Sequence, residues 1–389
     1  MRLPYALAGL SFLVFPLAMA APAAATPLDE GLALFKAHDY DKAYYLLMPI
    51  AAGGNSIAQE KMGRMFESVE KYDRAMAWYT MAAEVGNANA QEAIGTLYQF
   101  GRGVPPDYKA ALSWYQRAIA KGNANALEKL GTMYLLGNGV GQDYGAALAS
   151  YRQSARQGNA DAQERLGMMY QAGKGVPEDA TVALGWYRKA AEQGQATAQE
   201  SLGTMYRLGH GVPKDDAAAR LWYRKAADQG NADAEYLLWK MYDRGQGPPA
   251  EAFKWTRKLA EQGKARFQRT LGHLYDTGTG VAKDLAAAAS WYIKAADQGD
   301  IDAQLSLGSM YKLGEGVPQD FAEAHKWYRL AALNTGPGGP SNEEQLIKAK
   351  RERQKLEAVM SPTQLAEAKK RAREWKLAKP EAPPSVLQR

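Results

Sequence analysis

Six aspartates recur along this chain, at Asp107, Asp143, Asp179, Asp215, Asp284 and Asp320. Carboxylates in pairs can share general acid and base duties, so the set invites a hydrolytic reading. Gly-x-Gly-Val stretches, as at Gly173 and Gly209, could wrap a phosphate. Trp-Tyr pairs such as Trp114-Tyr115 and Trp222-Tyr223 could stack on a sugar ring. His38, His210, His273 and His325 complete the set of groups suited to catalysis or metal binding. Cysteine is absent. That excludes a disulfide framework, a cysteine zinc site, a thiol nucleophile and a lipidated cysteine at a mature N-terminus.

Spacing turns most of these groups toward structure. The aspartates return at the period of a repeat, each just ahead of an apolar run, which is where a helix N-cap belongs. The Gly-x-Gly-Val stretches come after helical segments rather than strands, so the dinucleotide fingerprint lacks its context. The Trp-Tyr pairs recur at one helical register, the mark of packing. The histidines fall in different repeats at different positions, without metal-ligand spacing. No catalytic, cofactor-binding or metal-binding residue is assigned, and no enzymatic activity is expected.

The repeat itself organises the chain. A glycine preceded by leucine or isoleucine returns every 36 residues at Gly95, Gly131, Gly167 and Gly203, and again at Gly272 and Gly308. A period in this range marks an array of small units that bury their apolar faces against one another. In the unit 160–195, a first helix carries Ala160, Ala162, Leu166, Gly167 and Tyr170, and a second carries Ala183, Trp186, Tyr187, Ala190 and Ala191. Both have the i, i+3, i+4 spacing of an amphipathic helix. Gly173 and Gly175 suit positive φ in the turn between them. Gly158 and Asn159 suit the end of one helix and the N-cap of the next. The regular units are 88–123, 124–159, 160–195, 196–231, 232–264, 265–300 and 301–336. A shorter unit, 56–87, keeps Gly63, Trp78 and Tyr79 but lacks the Gly-x-Gly-Val turn. Residues 26–55 read as a degenerate capping pair of helices, as expected of a terminal repeat.

The ends differ from the array. Residues 1–25 have the order of an export signal: Arg2, an apolar run from Ala6 to Leu17, then the small-residue sites Ala18-Met19-Ala20 and Ala23-Ala24-Ala25. The run is short for a membrane span of ~20 residues, and no later segment is apolar enough to be one. The expectation is an exported protein, periplasmic in the first instance, with secretion as the variant. Pro337-Gly338-Gly339-Pro340 interrupts the pattern. Residues 341–376 read as charged helices, the second starting with Pro362, and 377–389 as a disordered tail. The net charge of +6 is concentrated after residue 341, and the array between is balanced. A neutral array lacks the basic stripe of a nucleic-acid-binding protein. The basic end could make weak contact with anionic envelope polymers.

The unit A-x-A-x-x-x-L-G-x-M-Y-x-x-G-x-G-V-P-x-D-x-x-x-A-x-x-W-Y-x-K-A-A-x-Q-G resembles the Sel-1-like repeat, a relative of the tetratricopeptide repeat. The copies at Ala196–Asn231 and Ile301–Ala332 match almost throughout, and the resemblance covers roughly 56–336. The stretch from Met360-Ser361-Pro362 to Trp375 is similar to a helix that often closes bacterial members. The resemblance implies an all-α solenoid, a right-handed superhelix of antiparallel helix pairs. It implies an adaptor or scaffold that holds a partner protein or peptide in its concave groove. It carries over no catalytic residue. Some cysteine-rich secreted members have been linked to penicillin binding, and this cysteine-free chain departs from them. An accessory or enzymatic role in peptidoglycan or exopolysaccharide metabolism, or in envelope signalling, is the alternative.

One unit departs from the pattern. In 232–264 the recurring glycine is Trp239, Val-Pro becomes Pro248-Pro249, and three residues are missing before the second helix. The next unit opens with Arg266, Phe267 and Arg269 where its sisters carry small or acidic residues. Tyr236, Trp239, Arg266, Phe267 and Arg269 are therefore the candidate partner-binding residues, being of the types that dominate interface hot spots. An indole in place of glycine should also weaken helix packing, which suggests a hinge between residues 232 and 272.

Overall fold

The computed structural model describes residues 25–333 and 343–377. The expected export signal lies outside the described residues. So do the break at Pro337-Gly338-Gly339-Pro340 and the tail after Leu377. Among the described residues there are twenty α-helices and no strand. Consecutive helices pack as antiparallel pairs, helix A then helix B, the arrangement expected of an α-solenoid.

The chain divides into two compact units. The first holds residues 25–163 with 174–176. Its helices are α1 (Pro27–Lys36), α2 (Tyr40–Ala52), α3 (Ser56–Ser68), α4 (Tyr72–Glu84), α5 (Ala88–Phe100), α6 (Tyr108–Ala120), α7 (Ala124–Leu136) and α8 (Tyr144–Arg156), with the opening residues of α9 (Ala160–Ala172). The second holds the rest of α9 and every later helix. These are α10 (Ala180–Glu192), α11 (Ala196–Leu208), α12 (Asp216–Asp228), α13 (Ala232–Asp243), α14 (Pro249–Glu261), α15 (Ala265–Thr277), α16 (Leu285–Asp297), α17 (Ile301–Leu313), α18 (Phe321–Leu333), α19 (Glu343–Glu357) and α20 (Pro362–Leu377).

The pairs of residues 88–231 and 265–333 are built the same way. Helix A ends on a glycine in the left-handed region, as at Gly209 with φ +76°, where a side chain would be strained. The second glycine of the turn does a different job. A β-carbon on Gly211 would stand 2.5 Å from the Ala180 carbonyl oxygen at the start of the preceding helix B. This glycine therefore seats one repeat on its neighbour. The aspartate at the end of the turn closes it from both sides. Asp215 donates its backbone N–H to Tyr206 O, and its side chain accepts from Ala217 N and Ala218 N at 2.9 Å. All six recurring aspartates cap helix B in this manner.

The glycine in mid-helix A meets the tyrosine of helix B. A β-carbon on Gly95, Gly131, Gly167, Gly203 or Gly272 would come within 2.9 Å of the ring of Tyr115, Tyr151, Tyr187, Tyr223 or Tyr292 respectively. Those tyrosines are buried. The tryptophan beside each one has a different role. Trp114 and Trp222 are half-buried and pack on the core formed between helix B of the preceding repeat and their own helix A. A cation one turn on covers the indole, with Arg117 at 4.6 Å and Lys225 at 4.1 Å from the ring centre. The pairs are packing residues, with the tyrosine inside a repeat and the tryptophan between repeats.

The ends are closed. Thr26 and Asp29 form a capping box at α1. Ser361 and Gln364 exchange backbone and side-chain hydrogen bonds at the start of α20. The terminal helices dock on α18: Trp375 donates to Asp297 at 2.8 Å and lies 6.0 Å from Trp327, edge to face. Arg371 pairs with Asp320 at 2.7 Å, using the N-cap of α18 as its anchor.

Candidate functional site

The five candidate residues all lie in the second unit, and burial separates them. Trp239 and Phe267 are 1% and 4% exposed, rings 4.9 Å apart and edge to face, in the core shared by α12 through α15. Neither is available to a partner's surface. Tyr236 is half-buried, its ring 5.7 Å from Trp239. Arg266 is exposed and lays its guanidinium over the Trp239 indole at 4.9 Å. Arg269 is taken up by Asp300 at 3.1 Å and Asp302 at 3.5 Å. What remains accessible is a small surface of Tyr236 and Arg266 above a buried aromatic pair.

The departures in 232–264 form one repacked unit. Trp239 stands where other repeats have glycine, and Thr256, 1% exposed, stands where they have tyrosine. The large side chain has moved from helix B to helix A. The backbones of α13 and α14 approach less closely than in the regular pairs, which makes room for the indole. The exchange is imperfect. Trp239 Nε1 and Trp255 Nε1 are both buried without a hydrogen-bond partner, and each such group costs about 1–3 kcal/mol.

A second column escapes composition-level reading. In most repeats a buried glutamine of helix A donates to the last turn of the preceding helix B. Gln91 reaches Ala83 O at 3.1 Å and Gln199 reaches Ala191 O at 3.0 Å. In the unusual unit that position is Glu235. Lys258 takes over the carbonyl, donating to Ala227 O at 3.3 Å and pairing with Glu235 at 2.7 Å. The recurrence of glutamine three residues after the first alanine of the unit was the available signal.

The next residue on helix A varies, and it is buried or half-buried in every copy from Glu60 to Leu305. In the first unit it is Glu60, Glu92 and Glu128, all buried carboxylates. Lys61 and Lys129 pair with Glu60 and Glu128, and the Thr96 hydroxyl donates to Glu92. Burial holds the Glu92 carboxyl above the usual glutamate range, against the opposing pull of Arg64. In the second unit the same register reads Glu164, Glu200, Tyr236, Arg269 and Leu305. Burial likewise raises the Glu200 carboxyl.

The four histidines stay apart. His38 bonds Tyr40 at 2.9 Å, and His325 is buried under α19 with Nε2 2.8 Å from Glu357. Among the described residues no three His, Asp or Glu side chains are grouped to hold a metal ion.

Recurring polar residues that build turns and caps, around a variable helix-A face, define a helical-repeat protein of the interaction type. The Sel1 repeat family model matches residues 56–87, 88–123, 124–159, 160–195, 196–231, 232–264, 265–300 and 301–335. The chain belongs to the Sel1 repeat family. It is similar to a Sel1 repeat protein of Oxalobacter formigenes: 32% identity over 86% of this chain and 98% of that one, TM-score 0.47. It is also similar to a protective antigen of uropathogenic Escherichia coli with the same repeat fold: 28% identity, 93% and 88% coverage, TM-score 0.44. A Sel1 repeat protein of Klebsiella pneumoniae aligns with 50% of the chain at 20% identity, covering 97% of its own length, TM-score 0.38. No curated protein matches the chain.

Proposed function

We propose that this protein is a non-enzymatic scaffold of the bacterial cell envelope, exported to the periplasm, that holds a partner protein or peptide on its helix-A face. One observation carries the reading. The recurring polar residues are spent on the fold: the aspartates cap, the glycines turn or admit a ring, and the glutamines bridge repeats. The next residue on helix A, half-buried at Glu164, Glu200, Tyr236 and Arg269, instead changes from glutamate to tyrosine and arginine along the array. A face free to vary while its support stays constant is what a recognition surface on a repeat scaffold requires. Export rests on the order of charge, apolar run and small residues at the N-terminus.

The exposed cations of the terminal helices, among them Lys350, Arg351, Lys369 and Lys370, supply a secondary contact with anionic envelope polymers. Such contact should weaken with salt and disappear when 341–389 is removed. The main reading is tested by fractionating cells and crosslinking the envelope fraction. A defined partner at stoichiometric yield supports it. Recovery of the protein in the cytoplasm with Met1 retained contradicts export. Turnover of a cell-wall or β-lactam substrate by the purified chain contradicts the non-enzymatic role.

A further inference from the structure

The shortened turn of 232–264 leaves a charged cavity. Five residues, 244–248, join α13 to α14, where seven, 209–215, join α11 to α12. Between the C-terminal ends of α11 and α13 lies a cavity of 180 Å³. Its floor is apolar: Met241 is buried, Leu237 half-buried, and Leu208 is 46% exposed at the lip. Its rim carries Arg207, Lys214, Lys240 and Arg244 against one carboxylate, Asp216.

The pairing of these cations sets them apart. Several cations elsewhere on helix A have carboxylate partners, as in Lys129–Glu128, Arg269–Asp300 and Lys312–Glu352. Around the cavity, Arg207 bonds the neutral Tyr223 hydroxyl at 3.1 Å and feels the Glu200 carboxylate only through space, and Lys240 faces the Tyr236 ring at 6.0 Å. Arg244 is exposed at the C-cap of α13 with no acidic partner among the described residues. Asp216 is occupied by Gln246 at 3.1 Å and Lys214 at 3.8 Å. Cations at helix C-termini also answer the helix dipole. Two helix ends supply only about −0.5 charge each, so together with Asp216 and the Glu200 carboxylate near Arg207 they leave about one of the four cations uncompensated.

We propose that this cavity binds an acidic segment of a partner protein, one that seats an aliphatic side chain on Leu208, Leu237 and Met241 and sets flanking carboxylates against Lys240, Arg244 and Arg207. The volume suits one large side chain, and the sign of the rim selects against basic segments. This assignment rests on the scaffold reading and names the chemistry of its partner.

The test uses the full chain and three short fluorescein-labelled peptides, read by anisotropy: glutamates and aspartates around two leucines; the same with lysine for each acid; and the acidic peptide with serine for leucine. The first should bind, and more weakly as salt is raised. The other two should bind at least about tenfold more weakly. The double change Lys240→Glu and Arg244→Glu should weaken the first peptide about tenfold or more, and Arg244→Gln alone severalfold, with helical circular dichroism unchanged. Lys350→Glu with Arg351→Glu, on α19, should leave it within about twofold. Equal binding of the lysine peptide, indifference to the Lys240 and Arg244 changes, or equal loss in the α19 variant overturns the assignment. If a partner crosslinks to another stretch of the helix-A face while no acidic peptide binds here, this assignment falls and the scaffold reading stands.

Discussion

The ring of Tyr223 occupies the space that a β-carbon on Gly203 would need, its Cδ1 2.8 Å from that position. Gly203→Ala therefore forces the ring or the backbone to move. The expected cost is about 1–3 kcal/mol, the range for overpacking a filled core. Gly185, exposed in mid-α10 with nothing near a would-be β-carbon, is the control. Gly185→Ala should stabilise by about 0.5–1 kcal/mol through helix propensity. Urea denaturation of both variants checks the pair. Equal effects would mean that the Gly–Tyr contact is not tight.

Trp239 tests whether the unusual unit is damaged or repacked. The indole fills space that Thr256 leaves on helix B, so Trp239→Gly should open a cavity and cost about 3–5 kcal/mol, as large aromatic truncations do. A neutral result would mean that the unit tolerates drift at this site.

The same unit should still be the soft stretch of its neighbourhood. It has two buried indole N–H groups without partners and no side-chain cap at Pro248. Native-state hydrogen exchange is expected to be faster in 232–264 than in 196–228. Uniform protection would remove the hinge inferred from the sequence.

The N-caps should act independently. Asp143→Ala and Asp284→Ala are each expected to cost about 1 kcal/mol, and the double change should cost their sum, because the two caps share no partner. Thermal and chemical unfolding check this. A marked departure from additivity would show coupling that nearest-neighbour packing does not supply.

His325 makes the docking of the terminal helices sensitive to acid. Burial lowers the readiness of its ring to take a proton, against the pull of Glu357, with Arg353 and Arg329 opposing the charge. A histidine with a depressed folded pKa contributes fully above its unfolded pKa, about 6.5, and loses that contribution as pH falls through the folded value. Glu357, held below the usual glutamate range by the same bond, with Arg353 and Lys369 favouring its charge, loses stability in the same direction at lower pH. Trp375 emission is expected to report loosening of α20 on acidification from pH 7 toward 5. His325→Gln should flatten that response, and an unchanged profile would place the sensitivity elsewhere.

Much of the architecture could be read from register. Asp179 ahead of an apolar run, Gly173 and Gly175 between two helical patterns, and Ser361-Pro362 at a helix start all have single physical explanations, and all sit as expected. The candidate site was read from residue type, and there register would have served better. A side chain in the glycine column points at the facing helix B, so Trp239 had to enter the core, and Phe267 falls in the column of Ala198 and Ala234. Contacts outside the period were beyond sequence reasoning. Trp375 meeting Asp297 is one, and the loss of carboxylate partners around Lys240 and Arg244 is another.

The central claim is that the helix-A face carries the partner. Site-specific photo-crosslinking in living cells tests it most directly, with a photoreactive residue placed in turn at Thr132, Tyr236 and Lys240 on helix A and at Gly185 and Glu192 on helix B. The account predicts that one partner is trapped from the helix-A positions, and from Lys240 above all, while the helix-B positions stay blank. Adducts confined to Gly185 and Glu192, with none from helix A, would contradict it.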